Sequence, residues 1–348
     1  MSLDSMGGTH GVLEALVEGY DLSADQARSV LSHVFAGETD PSVVAGLLVA
    51  WRAKGETAEE MHGMVEAMLE HCVRVELDRP AMDIVGTGGD QKHSVNVSTM
   101  AALCVAGAGV AVCKHGNRAA SSSVGTADVL EELGVTLEVG PEVVARSVRE
   151  AGIGFCFAPA FHPAMRFVGP VRRALGIRTV FNVLGPLANP ARPSRLLVGT
   201  ADPDSAEKMA AVLGASGVER AWVVHAHDGF DELSLATTSS VVEVVGDGSG
   251  SFEMRNWILD PSSLGLRNAT EDDVRGGDVA TNADVVRRVL DGEQGPARDL
   301  VVLNAAAALV VADRAEGIED GVVAAAASLD SGAATRSLDQ LIAATTPD

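Results

Sequence analysis

The chain has 348 residues, 47% of them hydrophobic, with 26 basic against 48 acidic side chains and a formal net charge of −22. That apolar content excludes a disordered chain, and the length admits two domains or one large α/β unit. A surface so acidic repels a phosphate backbone, which argues against nucleic acid as a partner, and no apolar run is long enough to cross a bilayer.

The four cysteines, Cys72, Cys104, Cys113 and Cys156, have no C-x-x-C spacing and stand in apolar or helical surroundings. They are expected to be buried free thiols of a reducing compartment. With no charged-apolar-small pattern at the N-terminus, the expected location is cytoplasmic.

In chain order, the first stretch is helical. Val12, Leu13, Leu16 and Val17, then Ala27, Val30, Leu31 and Val34, recur at helix spacing. Asp40-Pro41 opens a helix through Leu47, Leu48 and Trp51, with proline in the first turn. Thr57-Ala58-Glu59-Glu60 has the form of a capping box before residues 61–72. Val43, Val44, Leu47 and Leu48 exceed what four short helices need to cover one another, and both core and a partner surface remain open for them. Residues 75–81, with Pro80, read as a hinge.

An α/β unit follows. The apolar run 82–85 breaks into Gly86-Thr87-Gly88-Gly89-Asp90, and Ser98-Thr99 opens a helix of small and apolar residues over 100–109. Strand, glycine loop and helix aim freed backbone amides at one point, which suits an anion. Residues 110–113 read as a second strand delivering Lys114, with Arg118 close behind and a helix over 127–133. The dinucleotide fingerprint fails because its third glycine position holds Gln91, and no Gly-Lys-Ser/Thr ending completes a P-loop. Against an ordinary strand-to-helix turn, the reading is a cradle for a phosphorylated substrate. On so acidic a chain, an anionic substrate needs local cations, which singles out Lys114, Arg118, Arg172 and Arg173.

Further on, 137–139, 155–157, 196–200, 221–225 and 241–245 read as strands, with helices over 141–152 and 205–214 between them. This alternation argues for a mostly parallel sheet. Residues 163–175 and 179–184 read as helical and basic, and 301–313 and 321–329 as alanine-rich helices packed on the sheet. Asp231-Glu232 follows a strand and an Asp228-Gly229 turn. Adjacent carboxylates raise each other's pKa unless a cation lies between them, and such hard oxygen ligands suit Mg²⁺; the alternative is a solvated loop pair. His225-Ala226-His227 has the H-x-H look of some metal hydrolases, but the further ligands such a site needs are not evident.

These stretches together resemble the anthranilate phosphoribosyltransferase family over nearly the whole chain. The resemblance is carried by 86–90, Asn96-Val97-Ser98-Thr99, 114–122, Arg172-Arg173, 182–187, 228–232, Arg275-Gly276-Gly277-Asp278 and 302–306. It implies an α/β fold of the nucleoside phosphorylase/phosphoribosyltransferase kind: a small all-helical N-terminal domain over 7–76, with 164–187 packing back onto it, and a larger α/β domain over 77–163 and 188–346 with a mostly parallel central sheet. The implied reaction displaces pyrophosphate from C1 of phosphoribosyl pyrophosphate by the amine of anthranilate, in tryptophan biosynthesis. The sugar phosphate would meet Gly86, Gly89, Asp90, Ser94, Asn96, Val97, Ser98, Thr99, Lys114, His115, Gly116, Asn117, Arg118, Ala119, Ala120, Ser121, Ser122 and Thr126. Gly86, Asn117 and Arg172 would hold anthranilate, and Ser98, Asp231 and Glu232 would hold Mg²⁺. No acid–base residue is implied, since an aromatic amine is unprotonated at neutral pH.

The resemblance also implies a homodimer through the helical domain. Gln91-Lys92-His93 departs from the family pattern and adds a cation near the loop, and Ala226 stands where many relatives have glycine. Two other readings are a transferase for another aromatic amine and a non-catalytic relative that binds nucleic acid. The net charge and the intact Asp231-Glu232 pair speak against the second.

Overall fold

Local chemistry sets the N-terminal helices. Ser23 Oγ accepts from Gln26 N while Gln26 returns a bond to Ser23 N, starting Ala24–Phe35. Thr57 and Glu60 repeat this reciprocal cap at Ala58–Glu70, and Asp40 caps Pro41–Lys54 through Ser42 N. Such caps contribute about 1 kcal/mol each. In the computed structural model, which describes residues 3–90, 92–119 and 124–347, these helices and Gly8–Val17 form one apolar layer.

The four aliphatics left open above divide clearly. Val44, Leu47 and Leu48 are buried, and Val43 is partly so. They share a core with Val168, Val171, Phe181 and Leu184 from the later segment and with Met209 and Leu213 of helix Pro203–Ala215. Among the described residues, the large apolar side chains that stay exposed over 7–76 are Val17, Tyr20, Val49 and Val73.

The sheet has seven strands: β1 (Met82–Gly86), β2 (Val112–Gly116), β3 (Ile153–Phe157), β4 (Arg195–Gly199), β5 (Arg220–Ala226), β6 (Ser239–Gly246) and β7 (Phe252–Leu259). Their order is β3-β2-β1-β4-β5-β6-β7, parallel through β5 and antiparallel at β6 and β7. From β1 the chain first builds outward through β2 and β3, then returns to place β4 on the opposite side. The crevice beyond the carboxyl ends of β1 and β4 is therefore the switch point where α/β sheets bind ligands.

Four details differ from the sequence reading. Residues 137–139 form no strand: Thr136 N donates to Thr345 Oγ1 (3.2 Å) and Val139 N to Leu137 O (3.0 Å), so the segment bonds to helix Ala333–Thr345 and to itself. That final helix, helix Val279–Leu290 and β7 went unread. β7 is an edge strand with mostly exposed residues, so it lacks the alternation that betrays a half-buried strand. Among the described residues no helix is long and apolar enough to cross a membrane.

Candidate active site

Two glycines at the switch point decide where the carboxylates go. Gly86 ends β1 and Gly199 ends β4, and they are register partners. The chain after β5 returns over both. A Cβ at Gly199 would overlap Asp231 O, and one at Gly86 would stand 2.6 Å from Asp231 Oδ2. Only glycine at both strand ends lets Asp231 settle into the crevice. The residue after Glu232 is clamped from below, because buried Asn304 accepts from Leu233 N (3.0 Å) and donates to Leu233 O (3.1 Å).

So held, the carboxylates face the glycine loop and the helix behind it. Gly88 N donates to Asp231 Oδ2 at 2.6 Å, and Ser98 N, in the first turn of helix Val97–Gly107, donates to Glu232 Oε1 at 3.2 Å. Burial pushes Asp231 up to about 7, with the Asp90 charge adding to it. Burial and then the Asp231 charge push Glu232 up to about 8. Both shifts reflect a place short of positive charge.

Lys114 is the buried cation nearby. Burial lowers its pKa, opposed by the charges of Asp83, Glu232 and Asp231. Its amine donates to Ile84 O, so it is held beneath the loop. Asp83 is itself buried, accepting from His115 N (3.2 Å) and Asn189 Nδ2 (2.8 Å), and burial pushes its carboxyl up to about 6.

The other sequence candidates fall into groups. Gly86, Gly89, Asp90, Ser94, Asn96 and Ser98 line the loop and the helix start, all at least partly accessible, whereas Val97 and Thr99 are buried. Thr99 and Thr126 hydroxyls meet at 3.4 Å. His115 Nδ1 lies 3.2 Å from Gly185 O, and Arg178 reaches Gly89 O at 3.4 Å, so the returning segment touches both loops. Gly116 ends β2, and Asn117 and Ala119 follow it; Asn117 Oδ1 accepts from Arg118 N at 2.7 Å. Arg118 is turned to Glu131 (2.7 and 3.0 Å) and Asp128 (3.1 Å) instead of standing free. Ala120, Ser121 and Ser122 lie outside the described residues.

Arg172 is half-buried on helix Gly169–Leu175, its guanidinium 5.5 Å from the centre of the Phe181 ring. Among the described residues no carboxylate pairs with it, and burial alone lowers its pKa. Arg173 is exposed. The extra cation Lys92 is paired with Glu271 at 3.1 Å. The H-x-H pair is structural: His225 Nδ1 meets Thr200 O at 2.9 Å, and His227 meets the hydroxyls of Thr238 and Ser240, both at 2.8 Å.

Sequence reasoning missed Gly199 and left Asn304 without a role. A glycine closing a strand was the available signal for the first, but the close approach that demands it comes from 32 residues downstream at Asp231.

A family model described as the glycosyl transferase family a/b domain matches residues 78–335, and one described as its helical bundle domain matches 11–72. The anthranilate phosphoribosyltransferase of Thermomicrobium roseum is 51% identical over 332 residues, covering 95% of each chain. That of Salinispora arenicola is 52% identical over 340 residues, again covering 95% of each. Among solved structures, the anthranilate phosphoribosyltransferase of Thermus thermophilus matches with a TM-score of 0.89 at 44% identity, over 96% of this chain and 98% of that one. The Saccharomyces cerevisiae enzyme in complex with phosphoribosyl pyrophosphate and Mg matches with a TM-score of 0.87 at 28% identity, over 97% of each.

Proposed function

The chain belongs to the anthranilate phosphoribosyltransferase family, and from that premise we propose that its β1–β4 crevice moves the phosphoribosyl group of phosphoribosyl pyrophosphate onto the amine of anthranilate, the pyrophosphate-releasing step of tryptophan biosynthesis. The observation that carries this is the Asp231-Glu232 pair seated over Gly86 and Gly199 and facing a glycine loop and a helix N-terminus. The nitrogen lone pair forms the bond to C1 as the bond from C1 to the pyrophosphate oxygen breaks, and the nitrogen loses a proton to water. No strong base is needed. Alignment and electrostatic stabilisation of the leaving group carry the rate.

In this reading Gly86, Gly89, Asp90, Ser94, 96–99, 114–122 and Thr126 form the sugar-phosphate site. Val97 and Thr99, being buried, serve through backbone and scaffold, and Arg118 exchanges Glu131 for a phosphate oxygen. Asn117 and Arg172, with Gly86, hold anthranilate. Ser98, Asp231 and Glu232 would hold Mg²⁺. The donor set fits: two carboxylates starved of positive charge and one hydroxyl are hard oxygens, and they leave room for the water and phosphate oxygens that Mg²⁺ retains. Bound there, Mg²⁺ neutralises the charge of the pyrophosphate. The protein's own part is to seat the carboxylates and to orient both substrates.

The test is the loss of anthranilate fluorescence when phosphoribosyl pyrophosphate and Mg²⁺ are added to purified protein. A steady signal at saturating concentrations of both would sink the assignment.

The domain limits belong to the same proposal: 7–76 with 164–187 for the helical domain, and 77–163 with 188–346 for the α/β domain. The apolar core that Val168, Val171, Phe181 and Leu184 share with the N-terminal helices supports them. A cytoplasmic location is supported by the free, buried thiols of Cys104, Cys113 and Cys156. A homodimer through the helical domain is supported by exposed Val17, Tyr20 and Val49, since a two-fold interface uses each such residue twice. Light scattering at micromolar concentration is expected to give the mass of two chains, and a clean monomer contradicts it.

A further inference from the structure

The Arg275-Gly276-Gly277-Asp278 stretch has no part in the site described so far, yet it lies against the loop that leads into the anion-binding helix. Ser94 and Arg275 form an isolated antiparallel bridge. Val95 N donates to Val274 O at 3.0 Å, and Gly276 N to His93 O at 2.8 Å. A Cβ at Gly276 would stand 2.9 Å from Ser94 O and 2.7 Å from Asn282 Oδ1, so the two segments close tightly. Asn282, near the start of helix Val279–Leu290, is 1% exposed. Its Oδ1 accepts from Gly277 N at 2.7 Å, and its Nδ2 donates to Asn96 Oδ1 at 3.0 Å.

Asn96 stands at the N-cap of helix Val97–Gly107, where an asparagine oxygen ordinarily accepts from the first turn. Here it makes no such bond. Glu232 takes Ser98 N instead, and the Asn96 oxygen is engaged by Asn282. Among the described residues the Asn96 amide nitrogen makes one long bond, 3.5 Å to Val124 O. A carboxamide beside an anion cradle is useful in one orientation: its NH₂ donates to a phosphate oxygen, whereas its oxygen repels one.

We propose that Asn282 is a positioning residue for phosphoribosyl pyrophosphate, pinning the Asn96 oxygen so that the NH₂ is the half of the amide left to meet the sugar phosphate. This rests on the reading of Asn96 as a sugar-phosphate contact. The chain thereby enforces, from a helix 186 residues downstream, a choice that a half-exposed asparagine cannot make alone.

The experiment measures both Michaelis constants in Asn96→Ala, Asn282→Ala, Asn282→Asp and the double variant Asn96→Ala/Asn282→Ala. Asn282→Asp keeps an acceptor for Gly277 N but sets a carboxylate oxygen against Asn96 Oδ1, which favours turning the amide over. Each Asn282 variant is expected to raise the KM for phosphoribosyl pyrophosphate about tenfold, with the KM for anthranilate within about twofold of the parent and the double variant no worse than Asn96→Ala. Should Asn282→Ala not fold, Asn282→Asp combined with Asn96→Ala makes the same comparison. If both Michaelis constants rise alike, if neither moves, or if the two penalties multiply in the double variant, Asn282 is merely structural and the inference falls while the site assignment stands. If Asn96→Ala itself leaves the KM for phosphoribosyl pyrophosphate unchanged, the placement of Asn96 fails and takes the inference with it.

Discussion

Replacing Asp231 and Glu232 together with alanine is expected to abolish Mg²⁺ dependence along with nearly all activity, while the protein stays folded. The two carboxylates sit side by side in the crevice, and burial and like charge raise both pKa values, with the Lys114 charge opposing this at Glu232 without cancelling it. Removing a preorganised electrostatic group costs about 10²–10³ in rate, and two acting as a unit set a loss of about 10³ or more in kcat/KM. Stability should move the other way or not at all. Each carboxylate is held at a cost in desolvation, and the groups it bonds, Gly88 N and Ser98 N, lie in a loop and a first helical turn that water can reach. Magnesium titrations of turnover and a melting curve without metal would check both halves. Near-normal turnover at low Mg²⁺ in the double variant is the outcome that defeats the metal assignment.

Arg172→Ala is expected to weaken the use of anthranilate about ten- to a hundredfold and to leave phosphoribosyl pyrophosphate nearly untouched. A half-buried guanidinium stacked on Phe181 and free of any carboxylate partner among the described residues is a cation waiting for an anion of matching shape. The anthranilate carboxylate can take two parallel hydrogen bonds from it, and a lysine cannot reproduce that fork. A charge-assisted bond of this kind contributes about 1.5–3 kcal/mol, which sets the size of the effect. Arg173, exposed on the same helix, is the internal control. Its alanine variant should stay within about twofold of the parent, as surface charges usually do. An equal anthranilate defect in Arg173→Ala, or an equal loss for both substrates in Arg172→Ala, contradicts the assignment.

Legibility differed from residue to residue. The capping boxes at Ser23 and Thr57 act over three residues and are written locally. So are the glycine turn after β1, Lys114 at the end of β2 and the paired carboxylates after β5, because each is a cluster of uncommon residue types at a strand end. From these came the anion cradle and the Asp231-Glu232 pair as a metal candidate, while the alternation of strands and helices argued for the mostly parallel sheet and the family resemblance added Ser98 to the metal ligands. Periodicity likewise showed that the first four helices carry an apolar face.

What covers that face was decided only in three dimensions, because a period reports which side is apolar and not which distant segment arrives there. Val44, Leu47 and Leu48 read equally as core or interface until Val171, Phe181 and Leu184 filled the space above them. Residues 137–139 have strand-like composition, yet Val139 N bonds back to Leu137 O, and the preceding Thr136 N bonds to a helix at the far end of the chain. The working details of the site share this character. Gly199 must be glycine because Asp231 packs onto it, and Arg118 is held by Glu131 and Asp128. Asn304 grips Leu233 across 71 positions, and Asn282 reaches Asn96 across 186. A hydrogen bond between such partners leaves no repeat or spacing in the sequence, so only the packing of the whole chain could bring them together.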